Sequence, residues 1–182
     1  MSNEKDTRVT PANSFKEWGL RISNDTAWGE RLARWMGKVL GGVQLHWKVG
    51  APTEIPWAPL HLPLAKATVA LVTTGGAHCC SDKPFVLKSD ASFRAIPRTA
   101  TSADLCITHE HYDRRDAARD LNLVFPLQRL LELETEGIID HVAETHYGFG
   151  FTENPHDLLL PGHELGTRLS DAHVDLVLLV PA

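Results

Sequence analysis

Apolar runs that end in polar or glycine residues recur along the chain, and they predict buried strands. Residues 67–72 form one such run, rich in β-branched side chains and followed by two threonines and two glycines. Residues 105–108 form a shorter run, and residues 175–180 are apolar without alternation after Asp175. Unbroken apolar runs are typical of parallel strands that are covered on both faces. We therefore predict that residues 175–180 are a central or near-central strand.

Helical spacing of leucines marks one segment between these runs most clearly. Pro126 suits the first turn of a helix and Gly137 is a good terminator, so a helix is predicted from about Pro126 to Glu136. Its leucines, Leu127, Leu130 and Leu131, are expected to pack on the sheet. Other predicted elements are a helical turn or two at 114–121, a helix within 158–172 with Leu165 and Leu169 on one face, a third strand at 138–147, and small strands at 85–87 and 92–96.

The order of these elements defines the expected fold. Strand, loop, strand, helix, strand, helix and strand predict an α/β layered domain over residues 66–182, with a mostly parallel sheet in a flavodoxin-like or Rossmann-like arrangement. Residues 1–13 are polar without an apolar period, which predicts a disordered tail. Residues 14–65 are expected to pack on the domain as an N-terminal helix and a proline-rich connector, with Trp57 as an anchor.

Composition and charge narrow the function classes. The formal net charge of -5 and the absence of a basic run disfavour nucleic-acid binding. No apolar run approaches the roughly 20 residues that span a membrane, and no glycine-rich nucleotide-binding motif occurs. Three cysteines do not suggest a disulfide framework. We therefore expect free thiols and a cytoplasmic location.

Polar residues follow two of the predicted strands at their carboxyl ends, where the functional groups of open α/β sheets gather. The first strand is followed by Thr74, Gly75, Gly76, His78, Cys79 and Cys80, and the second by His109 and His111. If both strands belong to one parallel sheet, His78 and His109 share a cleft. A plain strand-to-loop turn would have the same pattern without a function.

Thiol chemistry is the first candidate activity of this group. Cys79 or Cys80 is the expected nucleophile, with His78 or His109 as its base, because a loop position beside a histidine lowers the pKa of a thiol. Cys106 lies inside the second strand and is expected to be an inert core residue. The glycines at 75 and 76 let the backbone turn sharply or approach a ligand closely.

Further candidates have structural alternatives. Arg94 suits recognition of a substrate carboxylate, or it is a solvated arginine. His109 and His111 alternate, and such a pair can bind a metal, but no second chelating pair accompanies it and no metal is assigned. Asp120 and Asn122 either bind substrate or cap the helix that follows them.

Several ordered blocks of the sequence resemble the glycine/sarcosine/betaine/D-proline reductase selenoprotein B family. The blocks are residues 70–78, 84–85, 93–97, 105–109, 120–130, 136–139 and 174–181, within a resemblance that covers roughly residues 55–182. The resemblance implies reductive cleavage of a C–N bond in a small amino acid or amine, by a selenocysteine or cysteine that attacks carbon and is later reduced by dithiols. It also implies a partner reductase subunit or dithiol protein, and a homo-oligomer is a further expectation.

The resemblance also concerns the end of the sequence. In the family the redox pair follows the motif that corresponds to Val180 and Pro181, so the pair, with any selenocysteine, is expected beyond Ala182. Either the chain was cut at a recoded stop codon or it is a shortened member with another role. Two function classes stay open, namely a reductase subunit and a noncatalytic binding or scaffold subunit. We expect the 182-residue chain to bind a small ligand without cleaving it.

Overall fold

The computed structural model describes residues 58–109 and 111–181. The tail and helix predicted for residues 1–57 lie outside this part of the chain. The strands are β1 Thr68–Thr73, β2 Ala77–Cys79, β3 Phe93–Pro97, β4 Leu105–Ile107, β5 His141–Val142, β6 Thr145–Phe149 and β7 Leu176–Val180. The α-helices are α1 Arg115–Arg119, α2 Leu127–Thr135 and α3 Leu159–Asp171, and short 3-10 helices cover Leu64–Lys66, Leu121–Leu123 and Pro155–Leu158. None of the described helices is long and apolar enough to cross a membrane.

The main sheet is built around β1, in which every residue after Thr68 is buried. β7 runs parallel to β1 along one edge, while β5 and then β6 pair in parallel with the other edge. β3 pairs antiparallel with β6. The predicted α/β domain with a mostly parallel sheet is therefore confirmed, and the flavodoxin-like or Rossmann-like arrangement stays a prediction.

The strands that precede His109 and contain His78 do not belong to this sheet. β2 and β4 pair antiparallel with each other, with His78 opposite Cys106. The prediction that both histidines follow strands of one parallel sheet is therefore wrong. The physical reason is the turn after β1, where Gly76 has a φ of 70° and sends the chain off the sheet.

β7 also differs from its prediction. Within the described residues it pairs with β1 alone, and Leu178 and Leu179 are 39% and 69% exposed. A central strand buried on both faces is therefore wrong for this part of the chain. An unbroken apolar run shows which residue types a strand contains, but it does not show which other segments pack against them. The end of β7 nevertheless lies beside the end of β1, because the Thr74 N–H donates to the Val180 carbonyl at 3.1 Å.

The core lies between the sheet and α2. The helix begins directly after Pro126, as predicted, with Leu127 and Leu130 buried and Leu131 half-buried. These leucines belong to the cluster that contains Leu71 of β1. α1, β3 and α3, with buried Leu165 and packed Leu169, agree with their predictions. The single strand predicted at 138–147 is instead two strands, β5 and β6, and residues 85–87 are not a strand.

An ion pair that sequence analysis did not identify ties α2 to the strands. Arg98 donates two hydrogen bonds to Glu134, at 2.8 and 2.6 Å, and a third to the Val142 carbonyl. Glu134 also accepts the Val142 N–H at 2.8 Å. Hydrogen bonding to Arg98 lowers the pKa of Glu134 to about 2, so this carboxylate is ionised at all ordinary pH values.

Replacing Leu130 with alanine should destabilise the protein by roughly 2–5 kcal/mol, because a buried leucine loses its contacts and leaves a cavity. Chemical denaturation of the two proteins measures this difference. The matched control is Leu160→Ala, since Leu160 is 78% exposed, and it should change stability by no more than about 0.5 kcal/mol. Equal stabilities for the parent and Leu130→Ala would show that this helix face does not pack as described.

Candidate active site at the carboxyl end of the central strand

The turn after β1 is a tightly packed junction of three segments. The Gly75 N–H donates to Thr73 Oγ1 at 2.9 Å, and the Gly76 N–H donates to the Phe149 carbonyl at 3.1 Å. A Cβ atom at Gly76 would lie 2.3 Å from the Thr108 carbonyl oxygen. Glycine is therefore needed at position 76 both for its positive φ and for the close approach of the residues that follow β4.

An aromatic cluster of His109, His111, Tyr112 and Phe151 lies against this turn. The His109 ring centroid is 4.7 Å from that of Tyr112 and 5.6 Å from that of Phe151. The His111 ring stacks on Phe151 with centroids 3.6 Å apart. The Tyr112 hydroxyl donates to the Gly75 carbonyl at 2.9 Å. The cluster is thus fixed to the carboxyl end of β1, where β7 also ends.

The protonation state of His109 follows from its surroundings. The side chain is 3% exposed, and burial, with smaller contributions from His111 and Arg114, lowers its pKa to about 4. Its Nδ1 accepts the His111 N–H at 3.2 Å, so the single proton of the neutral ring is on Nε2. His109 is therefore suited to donate a hydrogen bond from Nε2 and is a weak base. Burial raises the pKa of Tyr112 to about 12, so this hydroxyl stays protonated.

In the described part of the chain, His109 and His111 have no further side chains placed beside them as metal ligands. No group of three or more histidine, cysteine or acidic side chains there is arranged to hold a metal. The Nδ1 atom of His109 already accepts the His111 N–H. The described residues therefore give no support to a metal at His109 and His111.

His78 links β2 to β4 through both of its ring nitrogens. A carbonyl only accepts, so Nδ1 carries the proton and donates to the Cys79 carbonyl at 2.7 Å. Nε2 then accepts from the Thr108 hydroxyl at 2.8 Å. The ring is 1% exposed, and burial is the main cause of its lowered pKa. His78 is therefore engaged as a structural cross-strand link in this state and is not directed at a thiol.

The cysteines contradict the prediction of three free thiols. Cys80 and Cys106 form a disulfide, so the predictions of a free Cys80 and an unbonded, inert Cys106 are wrong. Cys79 is free and half-buried. Burial raises the pKa of the Cys79 thiol, and the carboxylates of Asp82 and Asp104 raise it further, which is opposite to the expected activation. Pairing across two short strands cannot be read from an odd cysteine count.

Arg94 has partners within its own loop. Its guanidinium donates to Ser92 Oγ at 2.7 Å and to the Lys83 carbonyl at 3.1 Å. It also lies over the Phe85 ring, 4.6 Å from the centroid, and 3.8 Å from an Asp90 carboxylate oxygen. Arg94 is therefore half-buried, and its contacts stabilise the segment before β3. Its contact with a substrate stays a prediction.

Asp120 and Asn122 lie at the 3-10 helix that precedes α2, away from the aromatic cluster. Asp120 Oδ1 accepts the Asn122 N–H at 3.0 Å, which caps the 3-10 helix Leu121–Leu123. The predicted capping of α2 by these side chains is wrong, because α2 begins after Pro126 without a side-chain cap. Both residues also line a cavity of about 150 Å³ together with Arg119, Phe125 and Gln128. None of the aromatic cluster lines this cavity, so the structure does not unite all the predicted substrate-binding residues in one site.

Two members of the aromatic cluster, Tyr112 and Phe151, are not among the residues that the sequence pattern predicts. Tyr112 follows the histidine pair directly, and its position was the available signal. Phe151 follows two glycines, Gly148 and Gly150, whose lack of a side chain is required by close contacts. A Cβ atom would lie 1.8 Å from the Ala77 carbonyl oxygen at Gly148 and 2.5 Å from the Asp90 carbonyl oxygen at Gly150. The spacing of these glycines marks a crossing of chain segments.

The fold and its site thus define an α/β domain in which buried His78 and His109 lie just after the end of the central strand, with a disulfide nearby. Residues 46–182 match the family described as glycine/sarcosine/betaine reductase selenoprotein B, and the chain belongs to this family. This confirms the family that the sequence blocks resembled. No solved structure matches the chain.

Two curated relatives are subunits of reductases. Over 143 residues the chain is 36% identical to the D-proline reductase subunit gamma of Acetoanaerobium sticklandii, which covers 78% of this chain and 59% of that protein. Over 155 residues it is 26% identical to the sarcosine reductase complex component B subunit beta of Peptoclostridium acidaminophilum, which covers 79% of this chain and 35% of that protein. The matches therefore span less than two thirds of either relative.

Proposed function

We propose that this chain is a subunit of a reductase that cleaves a C–N bond of a small amino acid or amine through a thiol or selenol. The observation that carries the proposal is the meeting of the ends of β1 and β7, joined by the Thr74 to Val180 hydrogen bond of 3.1 Å, beside the aromatic cluster. The family resemblance implies that the redox pair follows Val180 and Pro181. A pair in that position would lie next to the turn at Gly75 and His109.

In this proposal the chain's own residues bind and orient the substrate. When present, the redox pair supplies the nucleophile that attacks carbon and the two electrons that the cleavage consumes. The Nε2–H of neutral His109 is suited to donate to a substrate carboxylate oxygen. Thr74 and His111, both exposed, complete the polar side of the site. The glycine turn at 75 and 76 lets the residues that follow β4 approach closely, which holds His109 at this site.

A second candidate is a noncatalytic binding or scaffold subunit of the same family. It is favoured by the state of the cysteines, since Cys80 is in a disulfide and the pKa of Cys79 is raised. Both ring nitrogens of His78 are engaged, so it does not serve Cys79 as a base. In this role the chain would hold a ligand at the same edge while a partner supplies the reactive group.

The proposal includes partners and a location. The two named relatives are reductase subunits, which supports a partner reductase subunit for this chain. A dithiol protein would reduce the redox pair after each turnover. We also retain the cytoplasm as the proposed location, because a reducing compartment keeps a redox pair in its dithiol form.

The test compares the chain with a version extended past Ala182 by its natural codons, with cysteine for any recoded stop. Both proteins are incubated with a dithiol reductant and with glycine, betaine, sarcosine or D-proline. We expect no cleavage by the 182-residue chain and turnover by the extended one. Robust cleavage by the unextended chain would contradict the proposal and move the nucleophile to Cys79. Ligand binding without turnover by both proteins would favour the noncatalytic subunit.

A further inference from the structure

The Cys80–Cys106 disulfide joins two residues of unequal exposure on a very small sheet. Cys106 is buried in β4, at 8% exposure, whereas Cys80 is exposed and follows β2 by one residue. The register pairs Cys79 with Leu105 and His78 with Cys106, so Cys80 lies just beyond the last pair while Cys106 belongs to the middle pair. A reagent in solution therefore reaches this bond from the side of Cys80.

The opposite end of the same sheet carries the candidate active site. Beyond the pair of Ala77 and Ile107, the Thr108 N–H donates to the Gly76 carbonyl at 2.9 Å. His109 and Tyr112 follow immediately and dock on the glycine turn. Cys106 precedes Thr108 by two residues, so along β4 the cross-link is roughly 7 Å from this docking point at about 3.3 Å per residue.

A two-stranded sheet of this size is weak without additional restraint, because isolated two-stranded pairs are marginally stable. The cross-link restrains β2 and β4 through residues that are 26 positions apart in the sequence. Its removal would leave the β4 end held by core packing at Leu105, the His78 to Thr108 link and the short ladder. The residues that follow β4 would then open more often.

We propose that the Cys80–Cys106 disulfide is an exchange site for dithiols and that its oxidation state sets the order of residues 105–112. A thiolate of the dithiol attacks the Cys80 sulfur, forms a mixed disulfide and releases Cys106, which takes up a proton. The second thiol of the dithiol, as its thiolate, then attacks the dithiol sulfur that is bonded to Cys80. This closes a disulfide within the dithiol and releases Cys80, which takes up a proton. Two electrons and two protons pass from the dithiol to the protein, and the dithiol becomes a disulfide.

Cys79 does not exchange with the Cys80–Cys106 disulfide, although it is adjacent to Cys80 in the sequence. The attacking species in exchange is the thiolate. Burial and the carboxylates of Asp82 and Asp104 keep Cys79 in its thiol form, so it does not scramble the neighbouring bond. The exchange reaction itself needs neither substrate nor any residue after Val180, so it can be tested apart from the proposed reductase role.

The test uses the full chain purified without reductant. It is treated in native buffer with or without millimolar dithiothreitol, alkylated and mapped by mass spectrometry. We expect Cys80 and Cys106 to be labelled only after dithiothreitol treatment, and the matched variant Cys79→Ser to behave in the same way. Labelling of both residues without reductant, or labelling only in denaturant, would overturn the proposal.

Hydrogen exchange of the same samples tests the second half of the proposal. Reduction should speed amide exchange in residues 105–112 by at least about tenfold, because the opened cross-link no longer restricts the local chain. Exchange in α2 should stay unchanged, and Cys106→Ala should exchange rapidly in residues 105–112 with or without dithiothreitol. Equal exchange of residues 105–112 in the oxidised and reduced protein would contradict the proposed control of order.

Discussion

Lowering the pH from about 6.5 to about 4 should destabilise this protein by several kcal/mol, because two buried histidines are neutral in the folded state. His109 and His146 both have a pKa of about 4, lowered mainly by burial. The unfolded chain takes up their protons near pH 6.5, so between these values it binds more protons than the folded chain. Stability therefore falls as the pH falls through this window, by about 3 kcal/mol per histidine at about 1.4 kcal/mol per pH unit.

His146 makes the clearer case of the two. It is fully buried in β6, and its Nδ1 accepts the Leu71 N–H at 3.0 Å, a bond that a protonated ring cannot accept at that atom. Glu134 acts in a lower window, because its lowered pKa of about 2 preserves its contribution above pH 4.5 and loses it as the pH falls towards 2. Acid destabilisation above pH 4.5 therefore reports mainly on the histidines.

Urea denaturation across this pH range measures the effect. His146→Gln keeps a side-chain acceptor without a titratable ring, so its stability should depend less steeply on pH than that of the parent. His163→Gln is the matched control on exposed α3, and it should leave the slope unchanged. A stability that is constant between pH 6.5 and 4.5, or an unaltered slope in His146→Gln, would contradict the assigned neutral histidines.

Gly148→Ala should either abolish the native packing around the site or lower the free energy of unfolding by several kcal/mol. The new Cβ atom would lie 1.8 Å from the Ala77 carbonyl oxygen, which is a backbone atom and cannot turn aside. Gly148 is also paired to both Thr73 and Arg94, so β6 is held between two strands. Displacing β6 would separate it from β2 and disturb the turn that carries the aromatic cluster. Overpacking and backbone shifts of this kind cost at least about 1–3 kcal/mol.

The matched control is Gly166→Ala on α3. Its added Cβ atom has no neighbour within 4 Å, and alanine in a helix interior is more stable than glycine by roughly 0.5–1 kcal/mol. Thermal denaturation should therefore show a lower midpoint for Gly148→Ala and an equal or higher one for Gly166→Ala. Similar midpoints for the two variants would show that β2 and β6 do not cross as closely as described.

The elements that sequence analysis predicted well are determined by local chemistry. α2 was predicted within a residue of its observed ends because Pro126 and Gly137 act on adjacent backbone. β1 was predicted from its own apolar residues. The sequence pattern does not predict the direction of β2 and β4. That direction depends on the turn at Gly76 and on the close crossing at Gly148, a residue remote from both strands in sequence.

The candidate site was predicted in part for a related reason. His109 does lie against the glycine turn, since Gly76 has the His109 side chain among its nearest neighbours. The contribution of Phe151 depends on β6, which reaches the turn through the sheet register and not through sequence proximity. The Cys80–Cys106 disulfide likewise needs the antiparallel register that the residue types alone do not specify.

The release of methylamine from sarcosine by the extended protein tests the central claim most directly. Cleavage of the C–N bond of sarcosine liberates this amine, which is measured against time with a dithiol as the only reductant. The account predicts release that depends on the residues after Ala182 and is absent from the 182-residue chain. Equal release by both proteins would contradict it, as would the failure of the extended protein, with its partner subunits, to release an amine from sarcosine, betaine, glycine or D-proline.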